Sequence, residues 1–143
     1  MRLALCRICE QADRLASSGN PVLFGLFNRL IASQLPTRLD ECCLAIEFEN
    51  DPTEHRRQFP IEVRLIDEDG HVLTVWRAMF ECGDGPPGTT MRSFLVVPMP
   101  WDDRFVFESP GSYRLDVVHS PDEGDERILG GEVLFVVLGH RPH

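Results

Sequence analysis

The sequence predicts an all-β domain, an antiparallel β-sandwich of about eight strands. From Glu41 onward, short segments alternate apolar and polar side chains, as strands with one buried face do. Clusters of Asp, Gly, Pro and Ser separate these segments, and such clusters form turns. The length of 143 residues and the hydrophobic fraction of 43% suit one folded core. We therefore expect a single domain over residues 1–143, with residues 139–143 as a short tail.

The first clear strands lie between residues 44 and 80. Residues 44–49 (LAIEFE) place large apolar side chains on one face and carboxylates on the other, which predicts a half-buried antiparallel strand. Residues 61–65 (IEVRL) repeat the alternation. Residues 67–70 (DEDG) form a turn sequence whose glycine can adopt positive φ. Residues 72–80 then return, so we predict a β-hairpin.

A loop and an edge strand follow this hairpin. Residues 82–88 (CGDGPPG) are dense in glycine and proline, which neither a helix nor a sheet ladder accommodates. Residues 89–97 are the next predicted strand. Pro98 and Pro100 end that strand or place it at the edge of a sheet, because proline lacks the backbone donor.

The last third of the sequence predicts another hairpin and a final strand. Residues 105–107 (FVF) lead into a turn at residues 109–111 (SPG), after which residues 113–117 alternate again. Residues 120–126 (SPDEGDE) form a polar turn. The continuous apolar run at residues 133–138 (VLFVVL) predicts a strand covered on both faces.

The first 35 residues admit two interpretations. A helical stripe is formed by Val22, Leu23, Leu26, Phe27, Leu30 and Ile31. Asn20 could cap this helix, with Pro21 at its first position. Gly25 lies in the middle of the segment and Phe24 lies off the stripe, which argues against a helix. The same residues could form a buried strand, so periodicity alone leaves both alternatives open.

Four stretches share a pattern of turn and strand residues: Cys9-Glu10, residues 19–30 (GNPVLFGLFNRL), residues 65–70 (LIDEDG) and residues 110–117 (PGSYRLDV). Together they resemble the motifs of an uncharacterised bacterial family that is known only as a domain of unknown function. Pro21 and the loop near Gly85 depart from that family's pattern. The resemblance implies an immunoglobulin-like sandwich and a β-hairpin for the opening segment, and it implies no activity.

Charge argues against nucleic acid as a partner. The chain has 23 acidic and 14 basic residues and a formal net charge of -9, and every basic residue is arginine. Binding to a phosphate backbone normally depends on a basic surface that releases counterions. We therefore expect a solvated acidic surface and no nucleic-acid binding.

The N-terminus and the cysteines bear on location. The apolar stretch in the opening MRLALCRICEQ is too short for a signal peptide, and the chain has no apolar run long enough to span a membrane. The odd number of five cysteines favours free thiols over a disulfide framework. These features predict a cytoplasmic protein without a membrane partner.

Four cysteines raise the possibility of zinc. Cys6 and Cys9 are three residues apart, and Cys42 and Cys43 are adjacent. Four thiolates can form a tetrahedral site, but on strands such spacings place the two side chains on opposite faces. We therefore expect small buried hydrophobes rather than metal ligands, although a helical opening segment would place Cys6 and Cys9 on one face.

Carboxylates cluster at Asp67-Glu68-Asp69, Asp102-Asp103 and residues 122–126. If these loops met at one end of the sandwich, their oxygens could bind calcium. Ordinary turn chemistry explains Asp and Gly there as well, and the sequence contains no defined calcium loop. We predict no metal and no cofactor.

The five histidines suggest no catalytic site. They are His55, His71, His119, His140 and His143. The sequence contains neither a Gly-x-Ser-x-Gly motif nor a phosphate-binding glycine loop, since Gly83-x-Gly85 lacks the helix and lysine that such a loop needs. We predict no catalytic residues.

The segment Trp101, Asp102, Asp103 and Arg104 is the candidate binding site. It follows Pro98 and Pro100, and tryptophan and arginine are frequent in interface hot spots. A large aromatic side chain near a strand end more often packs against the core. We favour burial of Trp101 over recognition.

The sequence thus predicts a non-catalytic domain that binds a protein partner or itself, as an accessory or assembly component. Contact would occur through edge strands or end loops. The alternative is a zinc- or calcium-dependent module, or a small hydrolase-like enzyme, that uses loop carboxylates, histidines and cysteines.

Overall fold

The computed structural model describes residues 1–83, 85–119 and 126–140, and it confirms an all-β fold. It contains nine strands, one more than we predicted. The strands are β1 (Arg2–Arg14), β2 (Pro21–Leu26), β3 (Arg29–Ala32), β4 (Cys42–Asn50), β5 (Gln58–Ile66), β6 (Val72–Glu81), β7 (Met91–Met99), β8 (Gly111–His119) and β9 (Arg127–Leu138). A 3-10 turn, Pro52–Glu54, connects β4 to β5.

The strands form two sheets. Sheet A has the order β2-β1-β4-β7, and sheet B has the order β3-β9-β8-β5-β6. All pairings are antiparallel except that of β3 with β9, which is parallel. Pairing of β1, β4 and β7 in one sheet against β9, β8, β5 and β6 in the other is the connectivity of an immunoglobulin sandwich. The prediction of a wholly antiparallel sandwich is therefore wrong for one pair of strands, β3 and β9.

Alternating side chains build the core between the sheets. On β4, Leu44, Ile46 and Phe48 point inward and are fully buried. On β5, Ile61 and Val63 do the same from the facing sheet. Burying a large aliphatic or aromatic side chain contributes roughly 1.5–3 kcal/mol, so this two-residue period holds the layers together.

The opening segment is a β-hairpin and not a helix. β1 and β2 pair antiparallel through a turn in which Gly19 has a φ of +73°. Beyond Cys9, β1 pairs with β2 and with no other described strand, so this end of the hairpin forms an arm. Its residues Ala12 and Leu23 pack against Cys43 and Ala45 on the outer face of β4.

The arm changes the expected exposure of β4. We predicted a half-buried strand, but seven of its nine residues are buried, including Ala45 at 0%. The inward alternation is confirmed. The prediction of an exposed outer face is wrong, because the arm and Phe94 of β7 cover part of that face.

The final strand, β9, is more exposed than we predicted. Residues 133–138 were expected to be covered on both faces, yet Phe135, Val137 and Leu138 of β9 are exposed. Leu134 and Val136, which alternate with Phe135 and Val137 along the strand, point into the core. The run is continuous in sequence but alternates in space, so one face of β9 presents apolar side chains to solvent.

Connections agree with the turn chemistry where the structure describes them. Gly70 in the β5–β6 turn has a φ of +85°, as its position in the sequence predicted. Pro98 lies within β7, which is an edge strand, so the edge assignment is confirmed. The expected turn at residues 120–125 and the end of the tail at residues 141–143 lie outside the described residues.

Across residues 1–83, 85–119 and 126–140, no helix has the length and apolar character required to cross a lipid bilayer.

Candidate binding surface

Trp101 packs over one open end of the sandwich. Its indole N–H donates a hydrogen bond to Thr74 Oγ1 at 3.0 Å, and the ring lies half-buried against the main core. A cavity of about 20 Å³ beside the ring has space for about one water molecule. Its lining includes Leu39, Met99 and Phe105. The ring therefore packs, half-buried, at this end of the sandwich.

The polar residues after Trp101 are engaged in local structure. Asp102 accepts hydrogen bonds from the Arg104 backbone N–H at 3.0 Å and from Thr74 Oγ1 at 3.5 Å. The carbonyl of Asp103 accepts a hydrogen bond from the Arg38 guanidinium. The Arg104 and Asp103 side chains are exposed. The segment is thus a capped turn with two exposed charges at its surface.

The cysteines separate between the two faces of sheet A. Cys6 and Cys42 pack against the main core, whereas Cys9 and Cys43 lie in the small cluster on the outer face. Cys6 and Cys9 therefore lie on opposite faces of the sheet, and so do Cys42 and Cys43, which confirms the argument from strand geometry. The two that do meet are Cys9 and Cys43, whose Sγ atoms are 3.4 Å apart.

Burial favours the protonated form of four of the five thiols by raising their pKa. It raises the pKa of Cys6, Cys9 and Cys42 to about 12 and the pKa of Cys82 to about 11. The hydrogen bond with Cys43 raises the pKa of Cys9 further. Since the thiolate is the nucleophile and the metal ligand, burial opposes both roles at neutral pH.

One of the acidic clusters is compact. Ligand atoms of Asp67, Asp69 and His71 lie within 4.8 Å of one another, the one such group among the described residues. Asp67 accepts from the backbone N–H of His71 at 2.8 Å and of Asp69 at 3.0 Å. The His71 backbone bond is the main cause of the lowered pKa of Asp67. Turn formation accounts for this arrangement, and residues 122–125 of the third cluster lie outside the described part.

The histidines are dispersed. His71 lies beside Asp67, with Nδ1 3.2 Å from Oδ2. His119 stacks edge-on against Phe59, and burial lowers its pKa. His140 is exposed, Nε2 of His55 is buried without a hydrogen-bond partner in the described part of the chain, and His143 is outside that part.

The edge of sheet A at β2 is the feature that our site prediction missed. Among the described residues, β2 pairs with β1 on one side only, so alternate backbone N–H and C=O groups face outward. Phe24 and Leu26 are 51% and 49% exposed. Residues 19–28 (GNPVLFGLFN) carry no charge. This is an apolar edge with unpaired hydrogen-bonding groups, which is the form that pairs with another chain.

The other three edges have features that oppose pairing. β7 contains Pro98 and Arg92, and the Arg14 guanidinium donates to the Phe94 carbonyl of the same strand at 3.3 Å. β6 contains Arg77 and Glu81, and β3 has only four residues, of which Arg29 is charged. Charge, proline and short length all protect edges. Within the described strands, β2 is the one uncharged edge, and its proline, Pro21, lies at its first residue.

Gly25 shapes this edge. It has a φ of +66°, and a Cβ atom at this position would lie 2.7 Å from the Glu10 carboxylate on β1. Residues 19–30, whose family resemblance implied a hairpin, therefore also contain an edge strand in which a glycine fits beneath a neighbouring side chain. Alternation of side chains could not distinguish an edge strand from a central one, because both have the same period.

A family model described as a family of unknown function matches residues 5–127. No curated protein matches the chain.

Proposed function

The chain belongs to family DUF6941, a family of unknown function, and we propose that it acts without catalysis, as an assembly component that adds a strand of a partner polypeptide to the free edge of β2. The exposed, uncharged β2 edge is the observation that carries this proposal. Strand addition supplies affinity through main-chain hydrogen bonds and specificity through alternate side chains. The expected partner is thus an extended apolar segment.

A second copy of the same chain meets these requirements. If two β2 strands pair antiparallel about Phe24, the two Phe24 rings are direct neighbours and Val22 lies opposite Leu26 of the other copy. Every cross-strand pair is then apolar, which stabilises sheets. Such a contact uses the same surface twice and closes as a two-fold dimer.

Charge supports this location. A net charge of -9 makes two copies repel across most approaches. The β2 edge has no charged residue of its own, and the adjoining part of β1 carries Glu10 and Asp13 as well as Arg14. Two copies can therefore meet here without placing carboxylates opposite one another.

Light scattering after size-exclusion chromatography tests the dimer. We expect wild type to show a concentration-dependent dimer and Phe24→Lys to remain monomeric, because two ammonium groups would face each other. Phe135→Lys, a similarly exposed phenylalanine on the other sheet, is the matched control and should still dimerise. A mixture of Phe24→Lys with Phe24→Glu should restore a heterodimer.

Two results would overturn the dimer. One is wild type that remains monomeric at every concentration. The other is loss of association in Phe135→Lys with retention in Phe24→Lys, which would move the contact to the exposed face of β9.

We also propose that the protein works in the bacterial cytoplasm. The family resemblance suggests the source, and the free cysteines support a reducing compartment.

The alternative function, a metal-dependent module, has one observation in its favour, the grouping of Asp67, Asp69 and His71. Elemental analysis of protein purified without chelator tests it. Stoichiometric zinc or calcium that disappears in Asp69→Asn would favour this alternative over strand addition alone.

A further inference from the structure

Two cysteines that are 34 residues apart in sequence are direct neighbours across strands β1 and β4. Cys9 lies opposite Cys43 in the antiparallel register, and the two Sγ atoms are 3.4 Å apart. Both side chains are on the outer face of sheet A, beneath Ala12 and Leu23 of the hairpin arm.

The backbone geometry suits a covalent bond between them. Directly opposite residues in an antiparallel pair have Cα atoms about 4.5–5.5 Å apart. A disulfide needs a Cα separation of about 4.4–6.8 Å and a bond of about 2.05 Å. Rotation of the two side chains is therefore sufficient to close the remaining gap between the sulfurs.

The pairing is selective. Cys42 is adjacent to Cys43 in sequence but packs against the main core, on the opposite face of the sheet. Cys6 and Cys82 also pack against the main core. The outer-face cluster thus contains these two thiols and none of the other three.

We propose that Cys9 and Cys43 form an oxidation site, at which a low-molecular-weight disulfide converts the two thiols into a cross-link between β1 and β4. One cysteine loses its proton to solvent and attacks the small disulfide, whose S–S bond breaks and releases one small thiol. The second cysteine then displaces the other small thiol, and the Cys9–Cys43 bond forms. The small disulfide gains the two electrons and two protons that the cysteines lose.

The hairpin arm controls access to this site. Cys9 is 0% and Cys43 6% exposed, so attack requires the arm to lift from the sheet. Once formed, the bond closes a long loop and restricts the unfolded chain. Oxidation therefore fastens the base of the β1–β2 arm to β4, and this inference does not depend on strand addition at β2.

Oxidised glutathione and thiol counting test the proposal on the full chain. After incubation with oxidised glutathione, acid quench and unfolding, alkylation should show that the five thiols of the wild type have fallen to three. Peptide mapping should join the Cys9 and Cys43 peptides, with a mass loss of two hydrogens. The oxidised protein should unfold at a higher urea concentration than the reduced form, and dithiothreitol should reverse the change.

Alanine variants supply the controls. Cys42→Ala should form the same cross-link, whereas Cys9→Ala and Cys43→Ala should form no internal disulfide. Five remaining thiols in oxidised wild type, a cross-link between other cysteines, or a stable glutathione adduct in place of the cross-link would each overturn the proposal. The wild-type peptide map decides the question even if either alanine variant fails to fold.

Discussion

The hydroxyl of Tyr113 donates a hydrogen bond of 2.6 Å to the backbone carbonyl of Ser109. It fixes the turn that enters β8, and the ring packs edge-on against Phe107 with centroids 4.8 Å apart. This is the tyrosine corner of immunoglobulin-type sandwiches, in which a cysteine of the inter-sheet disulfide follows two residues later in antibody domains. Here that position is Leu115, which is buried, so packing replaces the cross-link.

Removing this hydroxyl should destabilise the domain. Tyr113→Phe leaves the Ser109 carbonyl without its partner, and we expect the free energy of unfolding to fall by about 1 kcal/mol. Urea denaturation followed by tryptophan fluorescence measures the change. Ser109→Ala keeps the carbonyl and should change stability less. Equal midpoints for Tyr113→Phe and wild type would show that the corner contributes nothing.

A second prediction concerns close packing between β8 and β9. A Cβ atom on Gly131 would lie 2.2 Å from the Leu115 carbonyl oxygen, whereas one on Gly139 would lie 3.6 Å from Ile31, an ordinary contact. Gly131→Ala should therefore lower the free energy of unfolding by about 1–3 kcal/mol or more, as overpacking does. Gly139→Ala should be nearly neutral. Thermal unfolding of both proteins is the measurement, and equal transition temperatures would contradict the predicted clash.

Substitution of Trp101 distinguishes a role in core packing from a role in partner recognition. Trp101→Phe loses the hydrogen bond to Thr74 and part of the ring's packing, so we expect a loss of about 1–2 kcal/mol in stability with no change in association. Arg104→Ala, an exposed neighbour, should leave stability unchanged. Chemical denaturation and light scattering on the same samples separate the two roles. Unchanged stability with lost association would make Trp101 an interface anchor.

Acid should weaken an ion-pair network on the outer face of sheet B. Burial acts to raise the pKa of Glu62, but hydrogen bonds from Arg77 and Arg64, both at 2.9 Å, hold it below its usual value of 4.5. A carboxyl with a lowered folded-state pKa stabilises the fold above its unfolded pKa. This stabilisation is lost as the pH falls from 4.5 through the lower, folded-state pKa.

Glu62→Gln tests this pH dependence. At pH 7 the variant should be less stable than wild type, and the difference should shrink as the pH falls below 4.5. Glu81→Gln, an exposed carboxylate on β6, is the control. Unfolding free energies measured by urea at several pH values give the comparison. A difference that stays constant to low pH would show that Glu62 acts through its shape and not its charge.

Much of the fold could be predicted, and little of the site. Alternation at residues 44–49 and 61–65 identified β4 and β5 together with their inward faces. The turn glycine at position 70 and Pro98 identified a hairpin and an edge strand. Pairing partners escaped prediction, because a strand's pattern states which face is buried and not which strand lies beside it. The parallel β3–β9 pair and the free edge of β2 both depend on which strands lie next to each other, so the sequence pattern did not predict them.

By itself, the sequence determined the class of structure, since side-chain period and turn residues act over a few neighbouring positions. Only the tertiary structure decided that the β1–β2 arm covers Ala45, that Phe135 remains exposed, and that Cys9 meets Cys43 across 34 positions. Each of these depends on contacts between strands distant in the chain. Their free energies come from the packing of whole sheets, and local preference does not encode them.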